Sequence, residues 1–239
     1  MEPIPALIAG AVGYLLGSLS FARIVVGLFA PQVNIAEGAS LVLPGAEESL
    51  HLDVVSGTAV AAKLGERYGC LTAILDMLKV AAPTLAFQLA YPDASYFLLT
   101  AIMGVVGHNW PLYYQFKGGR GLSAIYGGLL VIDPIGTVVT SIVALVLGLL
   151  IKNVFVCYSG GTWLMIPWIW FRTGNPAYLV YVVAVNIIYL VALIPEIRIM
   201  RDRRWRLVQS DFDMALGATP MGRGLKKMAA RLGVPRDGQ

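Results

Sequence analysis

Charge is what this chain has least of. Of its 239 residues only 13% are Asp, Glu, Lys or Arg, while 57% are hydrophobic, and the mean hydropathy is +0.71. So few charges cannot cover a soluble domain of this length, so the composition implies an integral membrane protein. Cysteine is nearly absent. Cys70 and Cys157 stand alone, with no CxxC or metal-type spacing, and neither a disulfide nor a metal site is expected. Histidine occurs twice, and no nicotinamide, nucleotide or metal motif is visible, so no cofactor is expected. Nor is there an inverted repeat of the kind that marks many small-solute transporters. The first apolar segment lacks a basic stretch before it and is too long for a signal h-region, so a cleavable signal peptide is not expected. The net charge of +4 is concentrated in the C-terminal tail, which implies anionic lipid as a partner rather than nucleic acid.

What is present is apolar sequence in long runs. A helix needs about 20 such residues to cross the hydrocarbon core. The runs are Ile4 to Phe29, Leu71 to Ala90, Ser95 to Tyr114, Leu122 to Ile132, Ile135 to Ile151, Val154 to Phe171 and Ala177 to Ile194. The expected fold is all-α, a polytopic membrane helix bundle of about seven transmembrane segments, one of them short. A short segment at membrane depth must be enclosed by protein. Within the first run, Gly13, Gly17, Ser18 and Ser20 form a small-residue face suited to close helix packing. Arg23, near its far end, can snorkel to the interface. The second run carries Asp76 and Lys79, three apart on one helical face. Ionisable groups inside a span are costly and face the bundle interior or water, so this is either a mutually satisfied pair or part of a site.

The longest polar connection is 31–69. Its first half reads as loop, with Gly38, Pro44, Gly45 and three Glu residues. In its second half Ser56 or Thr58 can cap a short helix ending near Gly65 or Gly69, with Val60 and Leu64 on the face turned to the membrane. The tail opens Arg198-Ile-Met-Arg-Asp-Arg-Arg-Trp-Arg. Each basic residue there is worth about 1 kcal/mol against an anionic leaflet. Leu225, Met228, Ala229 and Leu232 then recur at helical spacing among Lys226, Lys227 and Arg231, as in an amphipathic surface helix or a solvated tail. The division expected is a transmembrane domain over 1–197, with an interfacial segment at 54–69, and a basic cytoplasmic tail over 198–239. With seven crossings and the tail inside, the inner loops carry Lys63, Arg67, Lys117, Arg120 and Lys152, and the outer ones only Arg172 with Asp93 and Asp133. This satisfies the positive-inside rule, with the N-terminus outside.

The chain is organised around Gly107 to Ser123, which joins two apolar runs. His108 lies at the end of one, and Lys117-Gly118-Gly119-Arg120-Gly121 follows. Glycines leave backbone N–H groups uncovered and allow φ > 0. Successive uncovered N–H groups make an anion site, and a helix starting at Ser123 adds its dipole. Lys117 as a point charge and Arg120 as a fork suit phosphate. No acidic residue lies between Gln115 and Ile132 to oppose an anion. The alternative is a plain turn with ordinary loop charges, and for His108 a tied-down structural role.

The string GHNWPLYYQFKGGRGLSA, residues 107–124, resembles the second signature of the bacterial acyl-phosphate:glycerol-3-phosphate acyltransferases, roughly GHxxPxFxxFKGGKGxAT. Gly107, His108, Pro111, Phe116, Lys117, Gly118, Gly119 and Gly121 match in register, while Arg120 and Tyr113 stand where the family usually has Lys and Phe. Tyr14 to Phe21 is similar to the family's YLLGSIPF, with Ser20 for its Pro. Asp76 to Val80 is similar to its DxxKG. The first signature, roughly SGNIGATNVLRxLGxxxG, is poorly kept. Thr58 meets its Thr, but its Ser, two Asn and Arg fall on Leu52, Val54, Ala59 and Ala62. The third, roughly RHxxNIxRL, loses its His to Met200 and its Asn to Arg203. Asp53, Arg201 and Arg203 are the nearest polar replacements.

The resemblance, over about residues 10 to 207, implies a seven-helix membrane enzyme of phospholipid synthesis. It would move an acyl group from acyl-phosphate to the carbon-1 hydroxyl of glycerol 3-phosphate. It implies His108, Lys117 and Arg120 as catalytic groups. It implies Gly118, Gly119, Gly121, Ser123, Ser18, Ser56, Thr58, Asp76 and Lys79 around substrate, no metal, and a bacterial cytoplasmic membrane. An acyl phosphate is already activated, so positioning and stabilisation of phosphate charge suffice. The second class is a divergent, catalytically impaired member that binds an anionic lipid or phosphate compound. The oligomeric state stays open.

Overall fold

The computed structural model of the chain describes residues 2–42, 49–52 and 54–200, with Gly222 and Gly224. In order come α1 (Pro3–Gly17), α2 (Phe21–Phe29), β1 (Ala39–Val42), β2 (Ser49–Leu52), α3 (Gly57–Leu64), α4 (Glu66–Ala90), α5 (Tyr96–Asn109), a 3-10 turn (Leu112–Tyr114), α6 (Leu122–Ile132), α7 (Pro134–Leu150), α8 (Val154–Thr173) and α9 (Pro176–Met200). All the apolar runs are helical, and the protein is a polytopic all-α membrane bundle with one small hairpin. Pro3–Phe29, Glu66–Ala90, Val154–Thr173 and Pro176–Pro195 are long and apolar enough to cross a membrane, while α6 and α7 are shorter. Ile4, Leu7, Leu89, Ile142, Leu150 and Phe171 point outward, an apolar exterior that suits lipid.

The first run is not one helix. α1 stops at Gly17 and α2 begins at Phe21. The Ser18 hydroxyl donates to the Tyr14 carbonyl at 2.7 Å, one of the local bonds by which serine competes with the helical ladder. Ser20 is extended, at φ −96° and ψ 93°. At membrane depth a carbonyl released by such a break needs an internal partner. Leu19 finds one, because Lys79 on α4 donates to its oxygen at 2.6 Å. The small-residue face works as expected, closing α1 on α5. Gly13 lies on the Thr100 backbone and Gly17 on that of Gly104, leaving no room for a Cβ at either.

The short helix α6 is enclosed, as membrane depth demands. Its Ile125 and Leu129 pack with Val80 of α4, Val105 of α5, Met165 of α8 and Tyr181 of α9, all fully buried. Asp133 starts α7 by accepting the Gly136 N–H at 2.9 Å. It also accepts the Trp168 indole N–H at 2.9 Å and pairs with Arg172 at 3.1 Å, which ties α7 to the end of α8.

The 31–69 connection differs from expectation in its first half. Instead of plain loop it contains an antiparallel pair, with Ala39 opposite Leu52 and Val42 opposite Ser49. Four-residue strands are too short to show a clear alternation in sequence. In the second half the cap and the end of the helix are as read, but Val60 is fully buried against Val25 and Val26 of α2, with Leu64 packed on the same cluster, so that face meets protein and not the membrane. Ser56 caps α3 by accepting the Ala59 N–H at 3.4 Å, and Gly65, at φ 101°, ends it. The expected tail helix, Asp53, Arg201 and Arg203 lie outside the described residues.

Candidate functional site

Three elements converge beneath the glycine turn. From α4, Asp76 and Lys79 face inward, their carboxylate and ammonium 2.7 Å apart and both buried. From the end of α5, the His108 imidazole comes within 3.5 Å of the same Asp76 oxygen. From the α1–α2 break, Leu19 offers the carbonyl that Lys79 takes. The sequence reading of a satisfied Asp76–Lys79 pair thus gains a third and a fourth member.

The turn itself is held by its own backbone. Phe116 N–H donates to Pro111 at 3.0 Å, Lys117 N–H to Tyr114 at 3.0 Å and Gly119 N–H to His108 at 3.2 Å. Among the described residues, the N–H groups of Gly118, Gly121, Leu122 and Ser123 have no partner within the protein. The amides of Lys117 and Gly119 are therefore not available to an anion, and the open ones are Gly118 and the start of α6, at Gly121 to Ser123.

The glycines also serve differently from expectation. Of the three, only Gly121 adopts the left-handed conformation, at φ 86°; Gln115 and Phe116 take φ 52° and 60° without being glycine. Gly119 is needed because its Cα lies against the His108 ring, and a Cβ there would run into Nε2. The turn and the imidazole are packed as one unit. Lys117 is exposed and Arg120 half-buried at its rim.

The remaining expected residues fall around this centre. Ser56 sits one residue beyond Val55, whose N–H donates to Gly118 at 3.3 Å, so the start of α3 is stitched to the turn. Thr58 is exposed on the first turn of α3, and Ser123 is half-buried on the first turn of α6. Ser18 is fully buried. Its hydroxyl bonds to Tyr14 and accepts the Leu112 N–H at 3.2 Å, bracing the turn from behind.

Two residues not assigned to the site from sequence enter here: Arg23, expected only to snorkel to the interface, and Asn109. Arg23 donates to the Lys117 carbonyl at 3.1 Å and lies 4.4 Å over the Tyr114 ring. Nothing local signals this, since 94 residues separate Arg23 from Lys117. Asn109 is 3% exposed, and its amide oxygen and nitrogen both lack a hydrogen-bond partner among the described residues. It lies against Gly121, where an added Cβ would come 2.5 Å from its oxygen. Its place directly after His108 was the available signal.

Chemically, the arrangement is open backbone N–H donors and cationic side chains at a turn, with one buried carboxylate behind it. Such a set suits an oxyanion and excludes little else by shape.

Fold and turn together define a multi-pass helical membrane protein with a cation-rich glycine turn between two of its helices. Comparison with known proteins identifies the class further. The family model for glycerol-3-phosphate acyltransferase matches residues 7–202, and the chain belongs to that family. A glycerol-3-phosphate acyltransferase of Campylobacter jejuni is 31% identical over 142 residues, covering 59% of this chain and 67% of the relative. One from Mycoplasma mycoides is 29% identical over 177 residues, covering 70% of this chain and 63% of the relative. The Legionella pneumophila relative is 33% identical over 119 residues, a match that spans only 38% of that protein's length. The fold is similar to crystal structures of PlsY (YgiH), an integral membrane glycerol 3-phosphate acyltransferase, in its lysophosphatidic acid and glycerol 3-phosphate forms. TM-scores are 0.67 and 0.66, each at 22% identity over 81% of this chain and 90% of that one.

Proposed function

We propose that the protein is a membrane acyltransferase that moves an acyl group from acyl-phosphate to the carbon-1 hydroxyl of glycerol 3-phosphate. The hydroxyl oxygen attacks the acyl carbon, the bond from that carbon to the phosphate oxygen breaks, and inorganic phosphate leaves with lysophosphatidate as product. The hydroxyl proton passes to the departing phosphate or to His108. Family membership supports this reading, and the observation that carries it is the packing of His108 onto Gly119 beneath Lys117 and Arg120. Lys117 and Arg120 balance phosphate charge. The N–H groups of Gly118, Gly121 and Ser123 bind its oxygens, and Ser56 and Thr58 border the site. Asp76 and Lys79 hold His108 and the α1–α2 break, while Ser18 and Gly119 support the turn. The protein resides in a bacterial cytoplasmic membrane, its C-terminus inside and its basic tail against anionic lipid.

One observation favours the second reading, a catalytically impaired binder of phosphate compounds. Two first-signature positions, Val54 and Ala59, are 7% and 3% exposed, and Ala59 belongs to an apolar cluster with Ile35, Val55 and Val60. Among the described residues, the side chains packed at Ala59 in that cluster are apolar. Purified protein given acyl-phosphate and labelled glycerol 3-phosphate decides between the two. Labelled lysophosphatidate formed by the wild type and lost in Arg120→Glu supports the enzyme; phosphate binding without product supports the binder.

A further inference from the structure

Arg23 is an arginine in an unfavourable place. It occupies the first turn of α2, where the helix dipole favours anions over cations. It is half-buried, and among the described residues no carboxylate pairs with it. Yet it is fixed. One terminal nitrogen, Nη1, donates to Ser20 Oγ at 3.3 Å and to the Lys117 carbonyl at 3.1 Å. The guanidinium plane rests over Tyr114, 4.4 Å from the ring centroid. With Nη1 occupied, Nε and Nη2 have no partner among the described residues. That edge is the two-donor fork that matches two oxygens of a phosphate. A half-buried cation held in place at the glycine turn, with no carboxylate partner among the described residues, calls for an anion.

The geometry points to Arg23 as a phosphate-binding residue of this site, its Nε–Nη2 edge taking two oxygens of a phosphate group seated at the 117–121 turn. The α2 N-terminus and the α6 N-terminus then both face that anion. This inference rests on the proposed acyltransferase reading for the identity of the phosphate, which either substrate can supply, but not for the existence of the contact.

The test uses the full chain in detergent, with inorganic phosphate as the probe and both substrates in the assay. Arg23→Gln keeps a donor for the Lys117 carbonyl and removes the charge; Arg23→Lys keeps the charge and removes the fork. Loss of a charge-assisted pair should raise the phosphate Kd about tenfold or more in Arg23→Gln, with partial rescue in Arg23→Lys. The KM should rise for one substrate, acyl-phosphate or glycerol 3-phosphate, and that substrate supplies the phosphate. Should Arg23→Gln not fold, the wild type still answers. Phosphate should shield Arg23 from an arginine-selective dicarbonyl reagent, read by mass spectrometry of the peptide. A Kd and both KM values within about twofold of wild type in Arg23→Gln, unshielded Arg23, or no phosphate binding by the wild type, each overturns the inference. A wild type that binds phosphate through Arg23 and transfers no acyl group supports it while overturning the enzyme reading.

Discussion

Asp76 is the residue on which the buried charges depend. Its carboxylate faces Lys79 at 2.7 Å and His108 at 3.5 Å, in an interior where an unpaired charge is far more costly than a neutral pair. Asp76→Asn should therefore cost about 3 to 5 kcal/mol by stranding the Lys79 ammonium. Adding Lys79→Met should recover most of that loss but not all, because the Leu19 carbonyl, now 2.6 Å from Lys79 Nζ, is left without its donor at a cost of about 1 to 3 kcal/mol. Thermal melts of the single and double variants in detergent read the difference, and simple additivity would count against the coupling. The pair was legible from its three-residue spacing within an apolar run. His108 as its neighbour was not, since nothing in a linear pattern says which helices pack. Gly119 teaches the same lesson. Its sequence context suggested a need for positive φ, whereas the need is for the absence of a side chain against an imidazole.

At the scale of elements, helices were legible where apolar runs were long, and their interruptions were legible only where a strong breaker stood. Asp133-Pro134 announced the junction of α6 and α7, because proline suits the first helical turn and aspartate caps it. The break at 18–20 carries no such breaker. It depends on hydroxyl bonds from Ser18 to Tyr14 and Leu112 and on Lys79 from another helix, which only tertiary structure supplies. The α6–α7 junction also makes a prediction. Asp133 caps α7, accepts from Trp168 and pairs with Arg172. Asp133→Ala removes the cap, worth about 0.5 to 2 kcal/mol, and leaves the indole N–H unsatisfied, worth about 1 to 3 kcal/mol. A combined loss of about 2 to 4 kcal/mol is expected, with Asp133→Asn milder because it keeps one acceptor. Detergent melts of the two variants check the ranking. Equal stability of Asp133→Ala and wild type would mean that the junction is held by apolar packing alone.

For the whole molecule, the contacts between connecting segments sort into two sets. Glu2 N–H donates to the Tyr96 hydroxyl at 2.8 Å, and Asp133 meets Arg172 at 3.1 Å. In the other set, Arg23 meets Lys117 at 3.1 Å, Val55 meets Gly118 at 3.3 Å and Lys63 donates to the Asn34 carbonyl at 2.6 Å. Alternating crossings, with α1 and α2 counted as one, put every member of the first set on one side and every member of the second on the other. The loop charges in the sequence predict the same division, though no single contact of it is visible there. By the positive-inside rule those charges also predict an orientation, since Lys63, Arg67, Lys117, Arg120 and Lys152 share the second side. That side should be the cytoplasm. The native cysteines favour a labelling test, because Cys157 is buried and only Cys70 is exposed. In a Cys70→Ser background, Asn175→Cys should react with an impermeant maleimide in intact cells, and Lys152→Cys only after permeabilisation. The reverse pattern would invert the molecule, place the glycine turn outside, and remove it from any acyl-phosphate made in the cytoplasm. Reaction of both positions in intact cells would break the alternation itself, and with it the reading of α6 and α7 as crossings.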